Sequence, residues 1–374
     1  MIKVLHYVGK MNRGGMETFI MNLYRGINND EYQFHFAVHE VETGDYDQEI
    51  LNRGGKIFVF PHMRENPLRY RMKWRKFWNM HRNEYQAFHF HTNSLANIIA
   101  FEEAYRAGIP IRIMHAHSSF SNKGRLQFLN DFLLQKHQKK ITKYATNLLA
   151  CSPEAALWLY GQNVINKSLV QMMKNGVSIS DYVYDIDARN TIRKEFGVEE
   201  KTILIGHVAA FFEVKNHKYI VEIAHYLKEQ GQNFLFVLVG EGHLKKDIIN
   251  LVKEQHLDQY FVFTGVRSDV NRLLSAFDIV VLPSLYEGLP VSLIEAQING
   301  VPVIVSDNVS RAVKLNDNLK FASIEESAST WAEMIIKTPI IHEANMEKII
   351  DNGYSAKMVC KEYLKLINRG DGNE

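Results

Sequence analysis

Residues Glu287-Gly-Leu-Pro-Val-Ser-Leu-Ile-Glu295 lie between two apolar runs, Phe277-Asp-Ile-Val-Val-Leu-Pro283 and Val301-Pro-Val-Ile-Val-Ser306. Each run reads as a buried strand, short, apolar and rich in β-branched residues. The stretch between them must turn and then form a short helix. Gly288 and Pro290 supply the turn, and proline is preorganised for the first turn of a helix. Free amides at a helix start form an anion site. The helix carries Glu295 inward. One segment thus offers amides for a phosphate and two carboxylates, Glu287 and Glu295, for hydroxyl groups. The plain alternative is a surface helix with two solvated acids.

The same alternation of strand and helix runs through the chain. The amino half has strand patterns at 3–8, 33–38, 56–60, 87–91, 111–116 and 147–151, with helical patterns at 15–27 and 94–107. The carboxyl half has strands at 202–208, 233–239 and 260–264, and helices at 217–230 and 270–276. Such alternation predicts parallel sheets wrapped by helices, an α/β class. At 374 residues the chain holds two such domains, each able to bury its own core. The join falls between about residues 175 and 201, where Asn-Gly-Val-Ser-Ile-Ser-Asp-Tyr gives a polar turn signal.

Charge and cysteine content narrow the options. A net charge of +2 argues against a general nucleic-acid binder. Cys151 and Cys360 form no disulfide framework and match no zinc spacing, so a reducing cytoplasm is the default location. The opening Met1-Ile-Lys-Val-Leu-His-Tyr-Val reads as a first strand, too short and polar for a signal peptide. No apolar run is long enough to span a bilayer.

The strand followed by Ser284-Leu-Tyr-Glu-Gly-Leu-Pro290 and Ile294-Glu-Ala296 resembles the carboxyl-domain signature of a known family. That family is the retaining, nucleotide-sugar-dependent glycosyltransferases of the GT-B fold (group 1, family 4, polysaccharide-biosynthesis type). The resemblance implies two Rossmann-like domains facing each other across a deep cleft. An acceptor-side domain would span 1–178, rejoined by a carboxyl-terminal helix within 355–374. A donor-binding domain would span 179–354. By the same resemblance Glu287 lies at the donor sugar and diphosphate, the amides of Gly288 and Leu289 meet the diphosphate, and Glu295 holds the ribose hydroxyls.

A second cluster is Ile205-Gly-His-Val-Ala-Ala-Phe-Phe-Glu-Val-Lys-Asn-His217. The family reads Gly-Arg-Phe and then Lys-Asn or Lys-Gly, with Arg and Lys gripping the diphosphate. Lys215 matches; its alternative is a solvated lysine at a helix start. Ala209 and Ala210 stand where Gly and Arg belong, which removes a bidentate phosphate clamp. That departure supports a second reading: a catalytically weak or inactive partner subunit that binds nucleotide sugar. Thr264-Gly-Val-Arg-Ser-Asp269 ends a strand, and the resemblance gives Arg267 a contact with the nucleobase. The alternative there is a plain turn.

In the amino half Asn12-Arg-Gly-Gly-Met-Glu-Thr18 opens a helix after the first strand. It is not Gly-x-Gly-x-x-Gly, so a nicotinamide fingerprint is poorly supported. Gly14 and Gly15 allow close approach of an anion, and the family carries such a pair near the donor; a tight turn is the alternative. Two His-x-His pairs, His89/His91 and His115/His117, each lie on one sheet face. No carboxylate or cysteine is spaced to complete a metal site, and the family needs no metal, so none is expected. The resemblance puts His117 at the donor sugar, with His115 the weaker candidate; a satisfied core histidine is the alternative. Asp185-Ile-Asp187 reads as linker. The basic, aromatic Arg69-Tyr-Arg-Met-Lys-Trp-Arg-Lys-Phe-Trp78 and the basic residues 136–143 suit either a solvated helix face or peripheral contact with anionic lipid.

The expectation is therefore a retaining transferase acting from the cytoplasm, bound peripherally to the membrane if the basic face meets lipid. It would move a sugar from a nucleoside diphosphate, UDP by family weight, to a glycan or lipid-linked acceptor in cell-surface polysaccharide synthesis. The donor is a substrate, so no cofactor is implied, and no nucleic acid is a partner. Front-face attack would leave proton removal to the departing phosphate.

Overall fold

The computed structural model describes residues 1–117 and 127–368, with backbone alone for 127–135. The chain divides into two compact units: Met1–Gly176 with Ala356–Glu374, and Val177–Ser355.

Among the described residues the first unit holds a parallel sheet of seven strands. They are β1 (Ile2–Tyr7), β2 (Tyr32–Val38), β3 (Ile57–Val59), β4 (Ala87–Thr92), β5 (Ile111–Ala116), β6 (Asn147–Ala150) and β7 (Val170–Met172). Their spatial order is β3-β2-β1-β4-β5-β6-β7. Side chains alternate across the sheet. Leu5, Phe88, Phe90 and Met114 meet Trp74 and Trp78 on one face. Val4, Phe34, Phe36 and Ile113 share the other with the helices Gly15–Gly26 and Ala356–Asn368. The carboxyl-terminal helix thus completes the amino-terminal core.

The second unit has six parallel strands: β8 (Ile203–Val208), β9 (Phe234–Val239), β10 (Phe261–Gly265), β11 (Ile279–Leu282), β12 (Val303–Ser306) and β13 (Leu319–Ala322). Their order is β10-β9-β8-β11-β12-β13. Both faces are covered, so the strands read as continuous apolar runs. In each unit the strand order reverses once, between β1 and β4 and between β8 and β11. Crevices outside the carboxyl ends of strands at such a switch point are where doubly wound sheets bind ligands.

Two local readings need correction. The helix expected over 94–107 is Ile99–Arg106. Thr92, Ser94 and Asn97 instead turn the chain with side-chain bonds to local backbone, ending in Ile99 N–H to Asn97 Oδ1 at 3.0 Å. The stretch 175–201 is not bare linker. Asp185 caps the helix Ile186–Glu195, accepting from Asp187 N at 2.9 Å and Ala188 N at 3.1 Å.

Candidate active site

The second unit's switch point gathers the residues of the two signature clusters. After β8 the chain makes a 3-10 turn, Glu213–Lys215, and Asn216 adopts a left-handed conformation with φ 54° before the helix His217–Glu229. Asparagine tolerates that conformation better than most residues. The turn aims Lys215 at the loop after β11. There Lys215 Nζ pairs with Glu287 Oε1, which also accepts from Ser284 Oγ at 3.2 Å. Both partners are mostly but not fully covered, with side chains 17% and 16% exposed. A backbone bond ties the two loops, Leu285 N to Val214 O at 2.8 Å. Glu287 is fixed from behind by Ser310 N, which donates to its carbonyl at 3.0 Å.

The helix Val291–Asn299 follows, opened by Pro290 and closed by Gly300 in the left-handed region. Buried Gln297 locks it: Oε1 accepts from Leu315 N and Asn316 N, and Nε2 donates to the carbonyls of Leu293 and Val313. Among the described residues the amides of Gly288 and Leu289 donate to no other backbone group. A Cβ on Gly288 would meet open space. The loop therefore presents main-chain donors beside an ion pair.

Glu295 lies one turn deeper. Its Oε1 accepts from Tyr182 Oη at 2.9 Å, and burial pushes its pKa up to about 7 against that bond. Sequence reasoning missed Tyr182, 113 residues away. Arg267 is held by two carboxylates: Asp269 at 2.7 and 2.8 Å and Glu195 at 2.6 and 3.2 Å. Ala209 and Ala210 run against the strand end after β9. A Cβ on Gly240 would lie 2.2 Å from Ala209 O.

In the first unit Gly14 caps the helix Gly15–Gly26. Two nearby amides are already engaged, Gly14 N with Asn12 O and Arg13 N with Asp45 Oδ2, both at 3.0 Å. The carboxyl group of Glu17 folds back over Gly14, and burial raises its pKa to about 7. Glu17 went unremarked in the sequence, although an acid in a helix's first turn complements its dipole.

His117 lies just beyond β5, its Nε2 2.8 Å from His91 Nδ1. Burial lowers its pKa to about 3, so the ring is neutral. The two His-x-His pairs are not separate: topology brings both together with His6.

The basic, aromatic stretch forms the helix Pro67–His81, with Tyr70, Trp74, Phe77 and Trp78 buried. Much of its charge is neutralised at home. Arg71 pairs with Glu102 and Glu103, and Arg75 with Glu103. Leu68 and Met72 remain exposed. Among the described residues no helix is long and apolar enough to cross a membrane.

Comparison with known proteins agrees with this geometry. Residues 13–181 match the family model described as Glycosyltransferase Family 4, and 188–355 match Glycosyl transferases group 1. A putative glycosyltransferase of Bacillus subtilis, EpsF, is 34% identical over 98% of this chain and 96% of its own. The UDP-Gal:alpha-D-GlcNAc-diphosphoundecaprenol alpha-1,3-galactosyltransferase of Escherichia coli is 28% identical over 60% of this chain and 59% of its own. The crystal structure of Anabaena HepE in complex with UDP-glucose superposes with a TM-score of 0.72 at 16% identity, covering 99% of this chain and 98% of that one. The fold is GT-B, and the chain belongs to the group 1 glycosyltransferases.

Proposed function

We propose that the chain is a retaining glycosyltransferase that uses a nucleoside-diphosphate sugar, UDP-linked, and acts on a glycan or lipid-linked acceptor in polysaccharide assembly. The observation that carries this reading is the Lys215–Glu287 pair beside the amides of Gly288 and Leu289 at the β8/β11 switch point. A diphosphate bound there would take Lys215 and the amides as its donors. Glu287, released from Lys215, would orient a hydroxyl of the donor sugar. The oxygen of Glu295 not held by Tyr182 would accept from ribose.

The anomeric carbon–oxygen bond to phosphate breaks as the acceptor oxygen bonds to the same face of that carbon. The acceptor's proton passes to the departing phosphate oxygen, so no carboxylate nucleophile and no metal is required. Fixed donors aimed at the developing phosphate charge supply the stabilisation. His117, neutral, would meet the donor sugar as a hydrogen-bonding group and not as a cation. UDP and the lipid-linked acceptor draw support from the UDP-Gal and diphosphoundecaprenol named for the similar galactosyltransferase and from UDP-glucose in HepE. A cytoplasmic site with peripheral lipid contact fits the exposed Leu68 and Met72 beside Arg69.

The test is product stereochemistry. Transfer from an α-linked UDP-sugar should give an α-linked product by proton NMR; a β-linked product overturns the retaining mechanism. Ala209 and Ala210 favour one rival, a weak or inactive subunit. Assaying Ala210→Arg beside the parent separates them. Raised turnover identifies an impaired enzyme, and silence in both chains, with UDP still bound, identifies the partner.

A further inference from the structure

Five imidazoles lie together inside the first unit. His6 on β1 is in register with His89 on β4, and His91 on β4 with His115 on β5. Alternation puts all four on one face, and His117 follows two residues on. That face is covered by Phe19, 5.1 Å from the His115 ring, and by Tyr363. The centre of a doubly covered parallel sheet ordinarily holds branched apolar residues. A buried histidine there normally meets a carbonyl or carboxylate; these meet mostly one another.

Their hydrogen bonds form two chains. One runs His117 Nε2–His91 Nδ1 (2.8 Å) and His91 Nε2–His6 Nδ1 (3.0 Å). The other runs Tyr363 Oη–His89 Nδ1 (3.1 Å) and His89 Nε2–His115 Nδ1 (3.3 Å). A neutral imidazole has one N–H and one bare nitrogen. Whichever way the first chain is protonated, one end keeps a bare nitrogen and the other an N–H, and both ends, His6 Nε2 and His117 Nδ1, are buried without partners. His115 Nε2 is likewise unpartnered, the Met173 backbone approaching its ring without closing a bond of ordinary geometry. Each unmade buried bond costs about 1–3 kcal/mol.

One ring nitrogen from each of His91, His115 and His117 lies within 4.8 Å of the other two. The same holds for His6, His89 and His91, but that trio is fully buried, whereas His117 is only partly so. We propose that His91, His115 and His117 bind one divalent transition-metal ion of the zinc class, with His6, His89 and Tyr363 as outer hydrogen-bond partners.

The ion would sit between His91 Nδ1 and His117 Nε2, and the proton now shared there would move to His117 Nδ1, so that each ring stays neutral with one N–H. Two nitrogens on a tetrahedral zinc, each about 2.0–2.1 Å from it, stand about 3.3 Å apart, so that pair must open by about 0.5 Å. His115 would present its unpartnered Nε2. Three of the remaining contacts then have fixed directions: His91 Nε2–H donates to His6, and His115 Nδ1–H to His89, whose own N–H meets Tyr363. Ligating histidines are ordinarily oriented by such second bonds. Three imidazoles without carboxylate select zinc, cobalt, nickel or copper over magnesium or calcium. A water would fill the fourth position.

The site shares His117 with the transfer reading, which needs no ion, and its test uses neither donor nor acceptor, so the two fail separately. Chelator-stripped, tag-free full-length chain is titrated with Co2+, read by visible ligand-field bands, and with competing Zn2+. The expected result is one ion per chain at micromolar affinity or better. His91→Gln and His115→Gln should each weaken binding at least 100-fold with circular dichroism unchanged, and His6→Phe about 10-fold. If those variants misfold, X-ray absorption at the zinc edge of the parent chain decides: three imidazole nitrogens at about 2.0–2.1 Å support the site. A spectrum without imidazole scattering overturns it, as does binding no tighter in the parent than in folded His91→Gln.

Discussion

At the residue scale the second unit stores a charge pair where the proposed chemistry needs a free cation. Lys215 and Glu287 neutralise each other, so donor binding exchanges one partner for phosphate at little desolvation cost. Lys215→Ala removes a donor aimed at developing charge, and loss of one such group costs about 10²–10³ in turnover. We expect kcat to fall by that factor, with a smaller change in KM, in steady-state transfer assays. An equal rise in KM alone would make Lys215 a binding residue only. Glu295 carries a pH signature. Burial raises its pKa from the ordinary 4.5 to about 7. The folded chain thus holds a proton that the unfolded chain has lost between those values. The stability this contributes is full below about pH 4.5 and is lost as pH rises through about 7. Glu295→Gln should abolish that slope, a difference of up to about 3 kcal/mol between pH 4.5 and 8 in urea unfolding. Parallel stability profiles for both chains would show that the carboxyl is solvated.

At the element scale the site depends on strand ends that touch backbone to backbone. Gly240 follows β9 with φ 143°, and a Cβ there would stand 2.2 Å from Ala209 O, a contact no side chain can relieve. Gly240→Ala should therefore destabilise by about 1–3 kcal/mol. It should also displace the turn carrying Lys215 and weaken nucleotide binding in the same protein. A stable variant with normal binding would mean the two loops are not coupled. Elements of this kind were legible in the sequence because buried parallel strands are unbroken apolar runs. The Val270–Ala276 helix and the strand–turn–helix around Gly288 stand where hydrophobic period and turn chemistry put them. The short edge strands β7 and β13 were missed, since three or four residues with one exposed face carry too little pattern. The pairings were legible only in part. Lys215 and Glu287 are 72 residues apart and were joined through the family resemblance. His6 could not be joined to His89, because that contact follows from β1 lying between β2 and β4, an order no local signal encodes. Tyr182 on Glu295 and Glu17 over Gly14 were hidden for the same reason: side-chain direction is fixed by tertiary packing.

At the scale of the whole molecule the chain crosses between units twice, at Gly176/Val177 and at Ser355/Ala356. The last helix, Ala356–Asn368, is therefore remote in sequence from the core it completes. It buries Val359, Cys360, Tyr363, Leu366 and Ile367 against the helix Gly15–Gly26 and β2. Asn368 reaches Tyr32 Oη at 2.9 Å, and Tyr363 meets His89 at 3.1 Å. Burial of a large apolar side chain contributes about 1.5–3 kcal/mol, so these five together are worth roughly 7–15 kcal/mol, an upper estimate. A domain's whole stability is about 5–15 kcal/mol. Ending the chain at Ser355 should accordingly unfold the first unit while leaving the second, whose own strands and helices all lie within Val177–Ser355. Calorimetry of the truncated chain should show one cooperative transition in place of two. Nucleotide binding, if carried by Lys215, Glu287 and Glu295, should survive, and transfer should be lost with His117. Two intact transitions in the truncated chain would mean that the first core closes without its last helix.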